Sequence, residues 1–292
     1  MDRILLIDAH NAMWRACVKF PTAPPKTKFD AAGNPIIEPP KEQVPDEVIF
    51  AFNFFRNLRP LIADVAPDKC FFVLEGHPQF RYDLFPEYKA NRLIKLASTR
   101  KDSNDRFLKT KDIIVPLLKH LPITICSAAK YEADDVISTL CEDMREEDLT
   151  VLSNDSDYIQ LLQRGYSKIH IYNPIKKEDM EAPPYPYVAW KCLNGDKSDN
   201  IPAILKPKKA LDTISNPVLF KKFMEVEENR ANFNINRQLI EFRSVPLEEI
   251  EMKEGNRDFS SLYKAFVEMK FESITNPNSW DKYCKTFDCI KY

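Results

Sequence analysis

Carboxylates are concentrated in two short motifs near the middle of the sequence, YEADD at 131–135 and SNDSD at 153–157. Strongly apolar runs lie beside both motifs. The acids of the two motifs are Glu132, Asp134, Asp135, Asp155 and Asp157. Carboxylates held this close at the ends of buried strands repel one another unless a cation neutralises them. The sequence therefore predicts a site in which oxygen ligands hold divalent metal.

Further acids follow apolar runs elsewhere in the chain. Asp8 comes directly after the run at 3–7, and Glu75 comes directly after the run at 70–74. The predicted buried strands are 3–7, 70–74, 123–126, 149–153 and 168–172, and helical patterns at 47–64, 113–121 and 136–144 separate them. This alternation predicts an α/β fold with a mostly parallel sheet covered by helices on both faces. Ligands bind at the carboxyl ends of such strands, so the acids are expected at one edge.

Nine acids are candidate metal ligands. They are Asp8, Glu75, Glu132, Asp134, Asp135, Asp155, Asp157, Asp196 and Asp199. Two divalent ions about 3.5–4 Å apart can activate water and stabilise the leaving oxygen of a phosphodiester. Two Mg²⁺ ions are expected, with Mn²⁺ able to substitute. On a helix, Glu132 and Asp135 share one side, and Asp134 points elsewhere unless the helix begins between Glu132 and Asp135.

Each acidic motif also has an ordinary explanation when taken alone. The EADD segment is typical of a helix start, where acids are favoured. A single DxD is more often a turn, and Asp8 could simply cap the next turn. It is the occurrence of all these acids at the strand ends of one predicted sheet that favours a metal site.

The composition is that of a soluble globular protein, with 44% hydrophobic and 29% charged residues. No apolar run approaches the roughly 20 residues of a membrane span, and the N-terminus lacks a signal-peptide pattern, so a cytoplasmic location is expected. The seven cysteines are scattered without a CxxC, which favours reduced thiols. The four histidines are also scattered, which argues against zinc.

Charge is distributed unevenly along the chain. The net charge is −2, yet residues 81–119 carry ten Lys and Arg against five Asp and Glu. Local charge decides what a surface attracts, so this segment is a candidate nucleic-acid contact. Residues 21–46 are rich in proline and predict an exposed loop. Residues 203–292 are mostly helical in pattern, without clear strands.

Five motifs occur in the order seen in the 5′-nuclease (flap endonuclease) superfamily. They are IDAHNA at 7–12, FRYDLFPEYKANR at 80–92, YEADD, SNDSD and GDKSDNIP at 195–202. The sequence most closely resembles the phage replication enzymes called ribonuclease H, which are flap endonucleases and 5′→3′ exonucleases. The resemblance implies a PIN-like nuclease core at 1–200. It also implies an arch or gateway at 83–111, with a mobile polar crossing at 103–107, and a smaller helical duplex-DNA-binding domain at 201–292.

The resemblance also implies roles for the matched residues. Asp8, Glu75, Glu132 and Asp134 would serve a first metal ion. Asp155, Asp157 and Asp199 would serve a second, with Asp135 and Asp196 nearby. Lys89 and Arg92, on one helix, would be catalytic and face the scissile phosphate; Tyr88 would stack on or guide a displaced base, and Arg81 would contact a phosphate. The alternative for these basic residues is a solvated charged helix.

Two positions depart from the family pattern. Residue 75 is Glu where the family usually has Asp. The segment at 203–214, AILKPKKALDTI, has no glycine and contains Pro207, where the family's helix–hairpin–helix has a glycine-rich turn. Lys206, Lys208 and Lys209 would bind duplex phosphates by charge instead of by backbone donors. Binding is then expected to depend steeply on salt.

The resemblance implies a Mg²⁺-dependent, structure-specific 5′→3′ exonuclease and flap endonuclease that removes RNA primers and 5′ flaps in DNA replication. Its expected partners are flaps, forks, nicks and RNA–DNA duplexes, with a sliding clamp or single-strand-binding protein as a further candidate. A monomer is expected, in the host cytoplasm if the gene is from a phage. The alternatives are a related PIN-type ribonuclease and a flap- or fork-binding protein without catalysis. The PEYKANR motif argues against the first, and the retained acids argue against the second.

Overall fold

The computed structural model describes residues 1–17, 44–95 and 101–291, so most of the predicted proline-rich loop lies outside the described residues. The strands are Arg3–Asp8 (β1), Lys69–Leu74 (β2), Thr124–Ser127 (β3), Asp148–Leu152 (β4), Lys168–Asn173 (β5), Glu178–Asp179 (β6) and Glu251–Lys253 (β7). The helices of the first part of the chain are Ala9–Ala16 (α1), Asp46–Val65 (α2), Gln79–Leu84 (α3), Ala90–Lys95 (α4), Lys101–Leu118 (α5) and Ala133–Asp143 (α6). Those of the second part are Tyr187–Asn194 (α7), Pro207–Ile214 (α8), Pro217–Glu225 (α9), Glu227–Ile240 (α10), Phe259–Glu268 (α11), Glu272–Thr275 (α12) and Pro277–Thr286 (α13). Short 3₁₀ helices cover Ser156–Gln163, Leu247–Glu249 and Phe287–Cys289.

The strands form one mixed sheet in the order β6-β5-β4-β1-β2-β3-β7. The five strands from β1 to β5 are parallel, while β6 and β7 add antiparallel edges. The predicted α/β fold with a mostly parallel sheet is confirmed. From the central β1 the chain builds outward through β2 and β3 on one side, and through β4 and β5 on the other. Such a reversal leaves a crevice at the carboxyl ends of the strands, where ligands bind.

Both faces of the sheet are buried, which explains the continuous apolar runs of the strands. Successive side chains of β1 point to opposite faces. Leu5 and Ile7 pack with α1, α2, α5 and α11, whereas Ile4 and Leu6 pack with α6 on the other face. The acids at the strand ends therefore follow strands that are buried on both faces.

The helix predicted at 113–121 is longer than expected and begins at Lys101. Phe107 is only 5% exposed and Thr110 is buried, and both lie on the same side of α5 as the buried Ile114 and Leu118. The segment 103–107, predicted as a mobile polar crossing, is helical, and Phe107 packs against the core.

The chain after residue 200 is mostly helical, as predicted, but it also supplies β7, which pairs antiparallel with β3. The expectation of no strands in this region is wrong. Its three residues, EMK, are all exposed and carry no apolar alternation that would have marked them. Helices α7–α10 share a hydrophobic cluster with Tyr88, and α11–α13 contribute to the core beside α2. The division of the chain near residue 200 stays a prediction.

Among the described residues, no helix has the length and apolar character needed to cross a membrane.

Candidate active site

A cleft of about 630 Å³ opens at the carboxyl ends of β1, β2 and β4 and at the start of α6. We call it the central cleft. Five of the nine candidate acids line it: Asp8, Glu75, Glu132, Asp134 and Asp155. They come from four separate parts of the chain, and the parallel sheet brings them together. The expected gathering of acids at one edge of the sheet is present for these five.

Asp8 and Asp155 sit at the two strand ends that flank the switch between β1 and β4. Asp8 caps α1, because its Oδ1 accepts the backbone N–H of Asn11 at 3.0 Å. Its Oδ2 accepts the Ser153 hydroxyl at 3.1 Å. Strand β4 ends at Leu152, and Asp155 caps the 3₁₀ helix by accepting the Asp157 backbone N–H at 3.0 Å. Asp155 and Asp157 are thus placed by a tight turn and not by strand alternation.

Glu75 joins the end of β2 to the start of α6, since its Oε2 accepts the Ala133 backbone N–H at 3.1 Å. The next residue must be small for this approach. A Cβ at Gly76 would lie 2.1 Å from the Ala128 carbonyl oxygen and 2.4 Å from that of Tyr131. Gly76 therefore lets the loop before α6 reach the strand end, and the longer Glu at position 75 reaches the helix N-terminus.

The start of α6 decides which acids of YEADD face the cleft. Glu132 is the N-cap and forms a capping box with Asp135. The helix begins at Ala133, between Glu132 and Asp135, which is the condition under which Asp134 can share the cleft. Ligand oxygens of Glu132, Asp134 and Asp135 lie within 4.8 Å of one another, close enough to hold one cation. Asp135, however, is fully buried and does not line the cleft.

Arg81 explains why Asp135 is buried. Its guanidinium is 1% exposed and binds both Asp135 oxygens, at 2.6 and 2.8 Å, and Glu132 Oε2 at 2.7 Å. Its Nε donates to the Leu239 carbonyl at 3.1 Å. The predicted phosphate contact of Arg81 is wrong, because the side chain is enclosed and its donors are taken. Arg81 is instead an internal counter-ion for the YEADD acids.

Tyr88 is also placed differently from the prediction. It is 3% exposed, and its hydroxyl donates to Glu132 Oε2 at 2.9 Å. Its ring packs edge-on against Tyr82. A base cannot stack on a ring that is enclosed in this way, so the predicted stacking role is wrong for this arrangement. Tyr88 orients Glu132 by hydrogen bonding.

Lys89 and Arg92 line the central cleft beside the acids, but they do not share a helix as predicted. Lys89 has a left-handed backbone, with φ +57°, and α4 begins only at Ala90. The Lys89 ammonium contacts Glu132 and lies 3.7 Å from Asp199. The half-exposed Arg92 guanidinium binds Asp199 at 2.5 Å. Asp199 thus holds the two cations at the cleft wall.

Asp157 and Asp196 lie in a neighbouring cleft of about 670 Å³, which also contains Asp155. They are bridged by Lys191, a residue that the sequence analysis did not select. Lys191 lies within the apolar segment YVAWKCLN. A single lysine in an otherwise apolar helix is the sequence feature that could have identified it. Lys206 lines the same cleft at the start of α8, and Lys208 and Lys209 are exposed on that helix. These three lysines lie outside the central cleft.

His10 and Asn11 were also missed, although both line the central cleft. The His10 ring stacks on Trp14, with the ring centroids 6.0 Å apart. Desolvation, followed by the charges of Arg92 and Lys89, lowers the pKa of His10 to about 4. A neutral imidazole therefore faces the cleft. The signal was the segment DAHNAMW, in which residues 10, 11 and 14 follow Asp8 at the start of a helix.

Three acids of the central cleft have raised pKa values, so a bound cation would stabilise their charged forms. Desolvation, and then repulsion from Asp155, raise the pKa of Asp8 to about 6 against hydrogen bonds that lower it. Desolvation, with repulsion from Glu132 and Asp8, raises the pKa of Glu75 to about 7 despite the nearby Lys89. Desolvation and the neighbouring Asp135 and Glu132 raise the pKa of Asp134. Hard carboxylate oxygens at this density fit a divalent cation such as Mg²⁺ or Mn²⁺.

The raised pKa values predict how metal binding depends on pH. Below about pH 6 the metal-free protein holds protons on Asp8 and Glu75 that a cation must displace, so affinity for Mn²⁺ should rise from about pH 5 to about pH 8. The same protons stabilise the metal-free fold at low pH, and that contribution is lost as pH rises through these pKa values. Calorimetric titration across this range measures both affinity and proton release. An affinity independent of pH would contradict the prediction. Asp143→Asn removes an exposed acid of α6 outside the cleft, and it should leave the pH dependence of Mn²⁺ binding unchanged.

A family model described as "5'-3' exonuclease, N-terminal resolvase-like domain" matches residues 3–185. DNA polymerase I of Streptococcus pneumoniae serotype 4 is 31% identical over 168 residues, which cover 53% of this chain and 18% of the polymerase. The matched part of the chain therefore spans about a fifth of the length of that relative.

Two solved structures share the fold at low sequence identity. The T5 5′-exonuclease with bound zinc ions is 15% identical, with a TM-score of 0.58 over 97% of both chains. Human GEN1 in complex with Holliday junction DNA is 16% identical, with a TM-score of 0.52 over 98% of this chain and 71% of that one. Since the family model covers more than half of the sequence, the chain belongs to the 5′-3′ exonuclease family that carries this N-terminal resolvase-like domain.

Proposed function

We propose that the protein is a divalent-metal-dependent nuclease that hydrolyses phosphodiesters at 5′ flaps and 5′ ends of DNA and of RNA primers paired with DNA. The observation that carries the proposal is the central cleft, where acids from four parts of the chain face Lys89 and Arg92. Acids alone would repel a phosphodiester. The two basic residues give the cleft a means to attract one.

The proposed roles follow from position. Asp8, Glu75, Glu132 and Asp134 would hold the first cation, and Asp155 and Asp199 would hold a second. When bound, such ions supply an activated water and charge stabilisation at the leaving oxygen. Lys89 would neutralise charge that develops on the phosphate, since its ammonium already lies between Glu132 and Asp199. Arg92, half exposed, would bind an adjacent phosphate oxygen.

Duplex DNA would be held by the helical region that begins with α8. Lys206, Lys208 and Lys209 are exposed at the first turn of α8, where they can pair with phosphates. Human GEN1, which shares the fold, is described in complex with a DNA junction. A sliding clamp or a single-strand-binding protein would recruit the enzyme during replication. In this proposal one strand is cut in the central cleft while the lysines at α8 hold the adjoining duplex.

A substrate comparison tests the proposal. Three 5′-labelled substrates would be used: a DNA flap, a nicked RNA–DNA duplex and a single-stranded RNA, each with Mg²⁺, Mn²⁺ or EDTA. We expect flap and primer cleavage with either metal and none in EDTA, because the cleft acids need a cation to accept a phosphate. The Asp155→Asn protein, purified identically, controls for contaminating nuclease and should give no metal-dependent product.

Each alternative function makes a different prediction in this assay. Faster cutting of single-stranded RNA than of the flap would favour a PIN-type ribonuclease. Tight flap binding without metal-dependent turnover would favour a DNA-binding protein without catalysis. Either result would contradict the proposal.

A further inference from the structure

Lys191 is a buried lysine with two carboxylate partners. Its side chain is 8% exposed, and its ammonium contacts Asp157 and lies 2.7 Å from Asp196 Oδ2. A lysine this deeply buried keeps its charge only when it is paired. The two acids are themselves largely enclosed, at 16% and 14% exposure of the side chain. The three groups form one compact cluster, which we call the Lys191 triad.

Asp196 has no oxygen to spare within this cluster. Its Oδ1 accepts the Ser198 backbone N–H at 2.7 Å and the Ser198 hydroxyl at 2.6 Å, while Oδ2 faces Lys191. These contacts fix Asp196 in the turn that follows Gly195, whose φ of +71° and crowded Cβ position leave little freedom. A divalent ion that bound Asp196 Oδ2 would compete with the Lys191 ammonium for that oxygen.

Asp155 is different, although it lies in the same neighbouring cleft. It also lines the central cleft, together with Asp8 and Asp134, so its carboxylate is shared between the two openings. Asp199 faces Lys89 and Arg92 at the central cleft and does not contact Lys191 among the described ion pairs. The acids near the second cation position therefore have different partners: Asp157 and Asp196 pair with Lys191, whereas Asp199 pairs with Lys89 and Arg92.

We propose that the ammonium of Lys191 acts as a built-in cation for Asp157 and Asp196, so that neither is a direct metal ligand in the resting protein. The inference rests on the proposed function and deepens it. Divalent metal binds tightly in the central cleft, and a second ion binds weakly because it must compete with Lys191 for part of its ligands. Removing charged partners from a buried ion pair is costly, which makes this competition unfavourable.

The proposal is tested by counting Mn²⁺ ions. Mn²⁺ binding to the full chain would be measured by electron paramagnetic resonance and calorimetry, without substrate. Wild type should bind one ion tightly and a second weakly. In Lys191→Met the freed carboxylates should bind the second ion at least about tenfold more tightly. Lys191→Arg keeps the charge and should behave as wild type, and Lys176→Met, at an exposed lysine, is the matched control.

Thermal unfolding gives a second readout of the same cluster. Lys191→Met leaves two enclosed carboxylates unpaired, so its melting temperature in EDTA should fall and Mn²⁺ should raise it more than in wild type. If the single variant does not fold in EDTA, Lys191→Met/Asp157→Asn removes much of the unpaired charge. It should retain the tight ion, because Asp157 is not a ligand for it. Loss of that ion would overturn the proposal.

An unchanged second-ion affinity in Lys191→Met would also overturn it, as would two equally tight ions in wild type. These results are distinguishable from a failure of the proposed function. If Mn²⁺ counts follow the expectation but flap substrates are not cut, the triad stands and the nuclease proposal falls. If flaps are cut in a metal-dependent manner but Lys191 does not influence ion binding, the reverse holds.

Discussion

Replacing Arg81 with methionine is expected to lower the free energy of unfolding by about 3–5 kcal/mol, because it leaves the buried Asp135 without its counter-ion. Arg81 is 1% exposed and pairs with Asp135 and Glu132, which are also buried. Burial opposes its charge, but the hydrogen bonds and charge of Asp135 raise the pKa of Arg81 above its ordinary value. The guanidinium therefore stays charged, and its removal leaves the buried Asp135 with uncompensated negative charge. Urea unfolding in EDTA measures the loss.

Two variants make the Arg81 experiment specific. Arg230→Met removes an exposed arginine that pairs with Glu227, and it should cost only about 0–1 kcal/mol. Arg81→Met/Asp135→Asn removes the unpaired charge while keeping an acceptor for the Arg243 backbone N–H, and it should recover part of the loss. A cost below about 1 kcal/mol for Arg81→Met would show that the pair contributes little to the fold.

The same contacts connect the cleft to the helical region. Arg81 donates to the Leu239 carbonyl at the end of α10. Gln160, buried in the 3₁₀ helix, donates to the Ile240 carbonyl at 3.3 Å and accepts the Phe242 backbone N–H at 3.1 Å. The chain leaving α10 is therefore hydrogen-bonded to α3, which follows β2, and to the 3₁₀ helix that follows β4. Loss of Arg81 should weaken this connection and also the hold on Glu132 and Asp135 at the start of α6.

The fold was largely predictable because parallel strands with two buried faces have continuous apolar sequences. The runs before Asp8 and Glu75 lie within one residue of the observed strand ends. Strand β7 was not predictable, since its three exposed residues depend on pairing with β3 and not on their own pattern. The start of α5 was missed because its first turns are polar, and only the spacing of Phe107, Thr110 and Ile114 marks the buried side.

The gathering of five acids in the central cleft was predictable, whereas the positions of the basic and aromatic side chains were less so. The sheet fixes the position of an acid that directly follows a buried strand. A side chain such as Arg81 or Tyr88 can instead point into the core or out to solvent from the same short segment. The choice depends on partners 44 or more residues away in sequence, namely Glu132, Asp135 and Leu239. Spacing within one motif cannot encode that choice.

Replacing Lys89 with methionine is expected to reduce the cleavage rate by about 10²–10³-fold, the usual cost of losing one preorganised group that stabilises transition-state charge. The ammonium lies at the wall of the central cleft between Glu132 and Asp199, and these carboxylates raise its pKa although burial opposes the charge. It is therefore charged at neutral pH. Methionine keeps the length of the side chain and, unlike glycine, leaves the left-handed backbone at residue 89 under the same constraint.

The measurement should separate chemistry from binding. Single-turnover cleavage of a 5′ flap gives the rate of the chemical step, and flap affinity measured with Ca²⁺ in place of Mg²⁺ gives binding. A group that acts on developing charge lowers the first and leaves the second nearly unchanged. Lys130→Met, at an exposed lysine just before YEADD, is the matched control and should alter neither. Equal losses in rate and affinity for Lys89→Met would instead mean that Lys89 only attracts the substrate. A full rate would place the charge-stabilising role on Arg92 or the metal alone.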